Sequence, residues 1–368
     1  MAALPPPMSA TRRASAAVVA WAFFVGTCVA PFAEPVAAQT TPGSSAAATI
    51  SDPSRLIKDY LPGGASQLAA LLLPHILPVC SVVAPCHPGA ALRNLVLVQP
   101  RRATSPRRII SLIPATTEML FAMGAGDRLA GVGTYDRFPA EVERLPRVGG
   151  LLDPSVERIL SLKPDLVIVY DTQTELKGQL ARAGIPIFRY VHRGLADITE
   201  TMRALGVRVG AASAADAAAA HIEQQLAAIR TRVARRPRPK TLLVFGREPG
   251  ALRRIDASGG YGFLHDVLEI AGGTDVLADL KRQSVQLSTE SILARAPEVI
   301  IELHYGSRLQ TDRLDAERLV WNALPSIPAV KNNRVHVLVG DEFVVPGPRI
   351  VLAADRFARA LHPDAYAR

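Results

Sequence analysis

The chain has 368 residues, 49% of them hydrophobic and 20% charged. That is long enough for two domains of ordinary size and globular rather than disordered in composition. Its net charge of +9 would suit an anionic partner, but only 5% of residues are aromatic. No zinc-finger, basic-zipper or RNA-binding signature is present, which argues against nucleic acid as that partner.

The first 38 residues read as an export signal. Arg12 and Arg13 precede the apolar run Ala14 to Ala30, and Val36-Ala37-Ala38 offers small residues for cleavage before Gln39. The run is short for a spanning helix, so a cleaved leader and a periplasmic location are expected. Cys28 sits in an imperfect lipid-attachment box, because Thr27 stands where a Gly, Ala or Ser is expected. Residues 39–106 are rich in Ala, Pro, Ser and Gly and read as a low-complexity extension. Cys80 and Cys86 within it could form a local disulfide in an oxidising compartment.

Ordered pattern begins at Arg108. Strands are expected over Arg108–Leu112, Leu129–Val132, Asp165–Val169 and Ile185–Tyr190, with helices over Thr116–Met123 and Thr174–Ala183 between them. Alternation of this kind argues for an α/β fold with a mostly parallel sheet. Ser213, with Asp216 as a capping-box partner, then opens an Ala-rich helix to about Val233. Arginines cluster at its end, at Arg230, Arg232, Arg235, Arg236 and Arg238, with Lys240 beyond, and Pro237 and Pro239 break it. Alternation restarts with strands Thr241–Phe245, Glu298–Leu303 and Val335–Val339 and helices Gly262–Ala271 and Pro348–Leu361. The expected plan is an N-terminal lobe at 107–212, a bridging helix at 213–236 and a C-terminal lobe at 237–368, with a ligand cleft between the lobes.

One segment is repeated without gaps: Ser155 to Ile168 in the first half and Ser288 to Ile301 in the second. Each reads as a Ser cap, a Glu in the first helical turn, an Ile-Leu pair, a Pro, a carboxylate and a buried strand. The repeat implies pseudo-symmetry between the lobes. Glu157 and Glu290 are its equivalent carboxylates. Each complements a helix dipole, and the pair could also dock to arginines of a partner.

Several motifs together carry a resemblance. They are Arg108 to Glu118, Val132 to Pro139, Ser155 to Val169, Leu268 to Gly273, and the turn Pro346-Gly347-Pro348-Arg349. From about Arg108 onward the chain resembles the periplasmic binding proteins of ABC importers for vitamin B12, ferric siderophores and haem, and most of all the B12-binding, helical-backbone subgroup. The resemblance implies two α/β lobes bridged by one long helix with little hinge closure. It also implies a permease dimer as partner, docked through Glu157 and Glu290, and a corrinoid or ferric chelate as cargo rather than a resident cofactor. It places Tyr135 and Tyr170 at aromatic positions of the cleft, and Asp341 and Phe343 in a loop that reaches the ligand. Leu151 and Ser284 stand where better-known members of the subgroup carry large aromatics.

The residues themselves point to the strand ends, where open α/β sheets bind ligands. Tyr170 with Asp171, His192 with Arg193, Arg247 with Glu248, and His304 with Tyr305 all follow expected strands. Tyr135 lies in a loop after a strand. His192 or His304 could cap cobalt or haem iron, although no second ligand is fixed by spacing. Tyr261 lies in the Gly-rich turn Gly259 to Gly262. No nucleophile elbow, phosphate loop or dinucleotide motif argues for an enzyme. A tetrapyrrole- or metal-handling enzyme is the alternative from another class.

Overall fold

The computed structural model describes residues 105–305 and 311–367. The export signal, the extension to residue 104 and all three cysteines lie outside the described residues. Among the described residues, no helix is long and apolar enough to cross a membrane.

The N-terminal lobe is a four-stranded parallel sheet in the order β2-β1-β3-β4. Its strands are β1 (Ile109–Ser111), β2 (Leu129–Val132), β3 (Leu166–Tyr170) and β4 (Ile187–Tyr190). Helices α1 (Pro114–Ala122), α2 (Val156–Ser161), α3 (Thr174–Arg182) and α4 (Ala196–Val209) connect and flank them. The run Leu166 to Val169 is fully buried, as a strand covered on both faces requires.

Helix α5 (Ala212–Val233) follows, 22 residues long, or about 33 Å at ~1.5 Å per residue. The expected capping box is not made. Gly210 ends α4 in the left-handed region at φ 71, and the chain turns straight into α5, whose N-cap Ala211 has no side-chain cap bond. Ser213 therefore falls inside the helix, and Asp216 instead accepts from Arg203 at 2.9 Å. α5 packs against α1 and α4 on one side and α6 (Phe263–Ile270) and α10 (Ile350–Leu361) on the other, so it touches both lobes.

The C-terminal sheet has six strands. The path is β10-β9-β5-β6-β8, and β7 (Thr274–Asp275) pairs with the start of β5. β5 (Lys240–Gly246), β9 (Val299–His304) and β10 (Val335–Val339) are parallel, whereas β6 (Ile255–Gly259) and β8 (Arg282–Leu287) run antiparallel to their neighbours. α7 (Thr289–Arg295), α8 (Thr311–Val320) and α9 (Pro328–Lys331) complete the lobe.

The order β4-β3-β1 in one lobe matches β10-β9-β5 in the other, and the sequence repeat maps onto it atom by atom. Ser155 Oγ accepts the Arg158 amide at 3.4 Å, and Ser288 Oγ accepts the Ser291 amide at 3.3 Å. Ile159 and Ile292 are both buried. Lys163 and Ala296 both take a left-handed turn, at φ 47 and 45. The carboxylate after the Pro has a shared task too. Asp165 accepts the Arg107 and Arg108 amides at 2.7 and 2.9 Å, and Glu298 accepts the Lys240 amide at 2.8 Å. Each carboxylate thus ties the start of its own strand to the start of the neighbouring one.

Side chains alternate along the central strands. Leu243 and Phe245 of β5, with Val299, Ile301 and Leu303 of β9, join a core that continues through α5 and α6 into the N-terminal lobe. Leu242, Val244 and Ile300 point the other way, into a second core around Trp321. The two lobes therefore share one unbroken apolar core at their junction.

Candidate functional site

The C-terminal edge of the N-terminal sheet carries a row of polar and aromatic side chains. Tyr170 ends β3 and Tyr190 ends β4, and their rings meet edge to face at 5.8 Å. The His192 ring stacks on Tyr190 at 6.2 Å and meets Phe263 of the C-terminal lobe at 5.2 Å. Burial lowers the His192 pKa to about 4, so the ring is neutral at ordinary pH. Among the described residues neither of its nitrogens has a hydrogen-bond partner, nor does the Tyr190 hydroxyl. The neighbouring loop ties the lobes together: the Leu195 amide donates to Asp266 at 2.8 Å, and Gln283 Nε2 reaches the Arg193 carbonyl at 3.5 Å.

Tyr135 is 55% exposed. Its ring lies over Gly150, where an added Cβ would come within 3.1 Å of it, so the glycine gives the ring its seat. The Gln173 side chain braces the same loop. It accepts from the Tyr170 amide at 3.0 Å and donates to the Leu151 carbonyl at 2.9 Å. Beneath lies Asp136, 1% exposed, with neither carboxylate oxygen in a full hydrogen bond among the described residues. Burial outweighs the pull of Thr117, Arg147 and the Gly133 amide and raises its pKa to about 7.

Two expected ligand residues are corrected by the structure. Arg247 is inside the protein, with 2% of its side chain exposed, 3.0 Å from Glu302 Oε1 and 2.6 Å from Glu317 Oε2. Buried guanidinium needs such partners, so it has no surface to offer a ligand. Phe343 is fully buried, its ring stacked on Phe357 at 5.6 Å with the Arg356 guanidinium on it. It belongs to the core rather than to a ligand loop. Asp341, at the start of the same turn, remains half-exposed.

His304 and Glu302 form part of the Arg247 network. Burial alone would push the Glu302 carboxyl up, but hydrogen bonds from His304 and Trp321 and the charge of Arg247 hold it below the usual range. With Glu302 ionised, His304 Nε2 must donate to it at 2.7 Å, which leaves only Nδ1 for a ligand. Tyr305 is half-buried, and burial pushes its hydroxyl up to about 12. Glu157 and Glu290 are exposed in the first turns of α2 and α7.

One feature was not anticipated from sequence. Arg349, in the Pro-Gly-Pro-Arg turn before α10, donates to both oxygens of Glu118 in α1, at 2.6 and 3.0 Å. Its guanidinium also lies 4.3 Å from the Phe138 ring centre. Glu118 is 4% exposed, and burial raises its pKa against the pull of Arg349. This clasp joins the lobes across 231 residues of sequence. Separately, an open groove of about 660 Å³ runs along α5, lined by Ile198, Ile222, Leu226 and Ile270; none of the strand-end side chains lines it. Among the described residues, no group of three or more His, Cys, Asp or Glu could hold a metal ion.

Comparison with known proteins agrees with this architecture. The vitamin B12-binding protein of Yersinia pseudotuberculosis is 31% identical over 277 residues, covering 74% of this chain and 93% of the relative. The crystal structure of the periplasmic vitamin B12 binding protein BtuF of Vibrio cholerae superimposes with a TM-score of 0.60 at 26% identity, covering 72% of this chain and 99% of that one. The periplasmic heme-binding protein RhuT from Roseiflexus sp. RS-1 gives the same TM-score of 0.60 at 25% identity, covering 70% of this chain and 99% of its own. Residues 109–341 match the family described as periplasmic binding protein, and the chain belongs to that family.

Proposed function

We propose that this protein captures a corrinoid between its two lobes and hands it to the permease dimer of an ABC importer. The observation that carries the corrinoid reading is the fate of two arginines, Arg247 after β5 and Arg349 at the lobe junction. Arg247 is consumed by Glu302 and Glu317, and Arg349 by Glu118. A haem with its propionates, or an anionic ferric siderophore, calls for unpaired cations at such positions. A corrinoid presents mostly neutral amides, which suit exposed aromatic faces and uncharged hydrogen-bonding groups. Tyr135 and Tyr261 are 55% and 46% exposed, and Tyr170, Tyr190 and neutral His192 line the row behind the Tyr135 loop. The likeness to vitamin B12-binding proteins at 31% identity supports the same choice.

A haem or ferric chelate is the second reading. His192, neutral and with both nitrogens unpartnered, favours it, as does the likeness to a heme-binding protein. Titration of the purified protein with cyanocobalamin, hemin and a ferric siderophore separates the two, read by tryptophan quenching and by the visible spectrum. Saturable cyanocobalamin binding with no hemin binding is expected. Hemin binding with a low-spin spectrum lost in His192→Ala would replace the corrinoid reading. The delivery step is assigned to Glu157 and Glu290, which the repeat sets at equivalent places on the two lobes.

A further inference from the structure

The basic end of α5 is not used by ligand capture or by docking. Arg230, Arg232, Arg235 and Arg236 are all exposed, and among the described residues none of them forms an ion pair with a carboxylate. The helix dipole favours cations here, but one or two would satisfy it. The positive surface also extends beyond the helix. Arg232 and Arg359 both lie on the Tyr366 ring, at 4.8 and 4.4 Å. Arg236 and Arg334 both bear on His362, which burial and these two charges keep below its usual pKa. The carboxylates nearby are Asp355, already paired with Arg359 at 2.6 Å, and Asp364 in the following turn.

Three chain segments thus bring Arg232, Arg236, Arg334 and Arg359 around Tyr366 and His362, with Arg235 exposed in the same turn, and the cluster is held partly by stacking. Planar guanidinium forks recognise phosphate oxygens, and several on one face suit a surface that repeats them. For a member of a periplasmic family, the phosphate-rich surface on offer is lipid rather than nucleic acid. We propose that this face adsorbs the protein to anionic phospholipid membranes. The patch lies where α5 leads into the start of β5, at the strand-entry edge of the C-terminal sheet. Glu290 lies at the opposite edge, because α7 runs back along β9 from the strand ends. Adsorption and docking therefore use different ends of the lobe, and a lipid-bound molecule keeps Glu290 free.

The test is co-sedimentation of the full chain with vesicles of phosphatidylcholine alone, and with phosphatidylglycerol added. Binding is expected only to the anionic vesicles, falling with added salt. Replacing Arg232, Arg235, Arg236 and Arg359 by Gln should lower partitioning by roughly a hundredfold or more. A charge-matched variant lacking Arg137, Arg144, Arg182 and Arg254 should keep most of it. Equal loss in both variants would show that net charge alone is responsible and overturn the assignment. Binding to neutral vesicles as well, or to duplex DNA without anionic vesicles, would also overturn it. Unchanged melting of the four-site variant shows that a loss is not unfolding.

Discussion

Asp136 shows how a single buried group couples the site to pH. Its carboxyl titrates near 7 in the folded chain because burial dominates, whereas in an unfolded chain it would titrate near 3.9. The folded state therefore holds a proton that the unfolded state releases between about pH 4 and 7. Stability from this group is fully present below the unfolded value and is lost as pH rises through about 7. At ~1.4 kcal/mol per tenfold, the full swing is about 4 kcal/mol. Asp136→Asn keeps the shape and removes the charge. Urea unfolding should show it more stable than the parent at pH 8, by about 2 kcal/mol or more, and within about 1 kcal/mol of it at pH 4.5. An identical pH slope in the two proteins would mean that Asp136 is solvated in solution. Its neighbour Tyr135 was legible from sequence as a loop residue, but Asp136 was not, since nothing in a single Asp says that it will be buried without a partner. The same limit explains Arg247 and Phe343. Strand-end position told where the Arg247 backbone lies and the resemblance set Phe343 in a loop, while Glu302, Glu317 and Phe357 decided where their side chains went.

At the scale of elements, most strands could be read from sequence because buried parallel strands leave continuous apolar runs. Leu129–Val132 and Val335–Val339 fall where expected. The antiparallel strands β6 and β8 were not anticipated, since neither is strongly apolar and Arg282 to Leu287 is largely half-exposed. Helix α4 was not anticipated either, although Ile198, Met202, Leu205 and Val209 give it a buried stripe at helical spacing. The clasp between α1 and the turn before α10 lay beyond any local pattern. Glu118→Gln leaves the Arg349 guanidinium, 18% exposed, with only the more distant Glu342 at 4.0 Å as counter-charge. Fully buried pairs lose roughly 3–5 kcal/mol on such a break, and the partial exposure of Arg349 lowers this to about 2–3 kcal/mol. Replacing both partners by Met removes the charge problem with the contact and should recover more than half of the loss. Denaturant midpoints of the two single variants and the double variant give the coupling directly. Additive losses would show that Glu118 and Arg349 do not act as a pair.

Three tethers and a shared core join the two lobes, one of them the loop after β4 through the Leu195–Asp266 bond. The bridging helix α5 packs on both lobes, the Glu118–Arg349 clasp joins them elsewhere, and the apolar core runs unbroken between them. Wide hinge opening would have to break the clasp and expose that core, so ligand exchange is expected through small movements at the rim, where Tyr135, Leu152 and Tyr261 are exposed. A body this stiff holds its two lobe ends at a fixed spacing. The repeat then matters for delivery: α2 and α7 present Glu157 and Glu290 in equivalent local frames, as a partner with two equivalent halves would need. The carboxylates touch neither core, so removing them should leave folding and ligand affinity unchanged. On the proposed docking each supplies a charge-assisted contact, so Glu157→Ala or Glu290→Ala alone should weaken binding to permease-containing nanodiscs by roughly tenfold. Because the stiff body makes the second contact intramolecular once the first has formed, the double variant should lose more than either single loss implies. A double variant no weaker than the worse single one would mean that only one lobe docks, and the symmetry of the repeat would then concern folding alone.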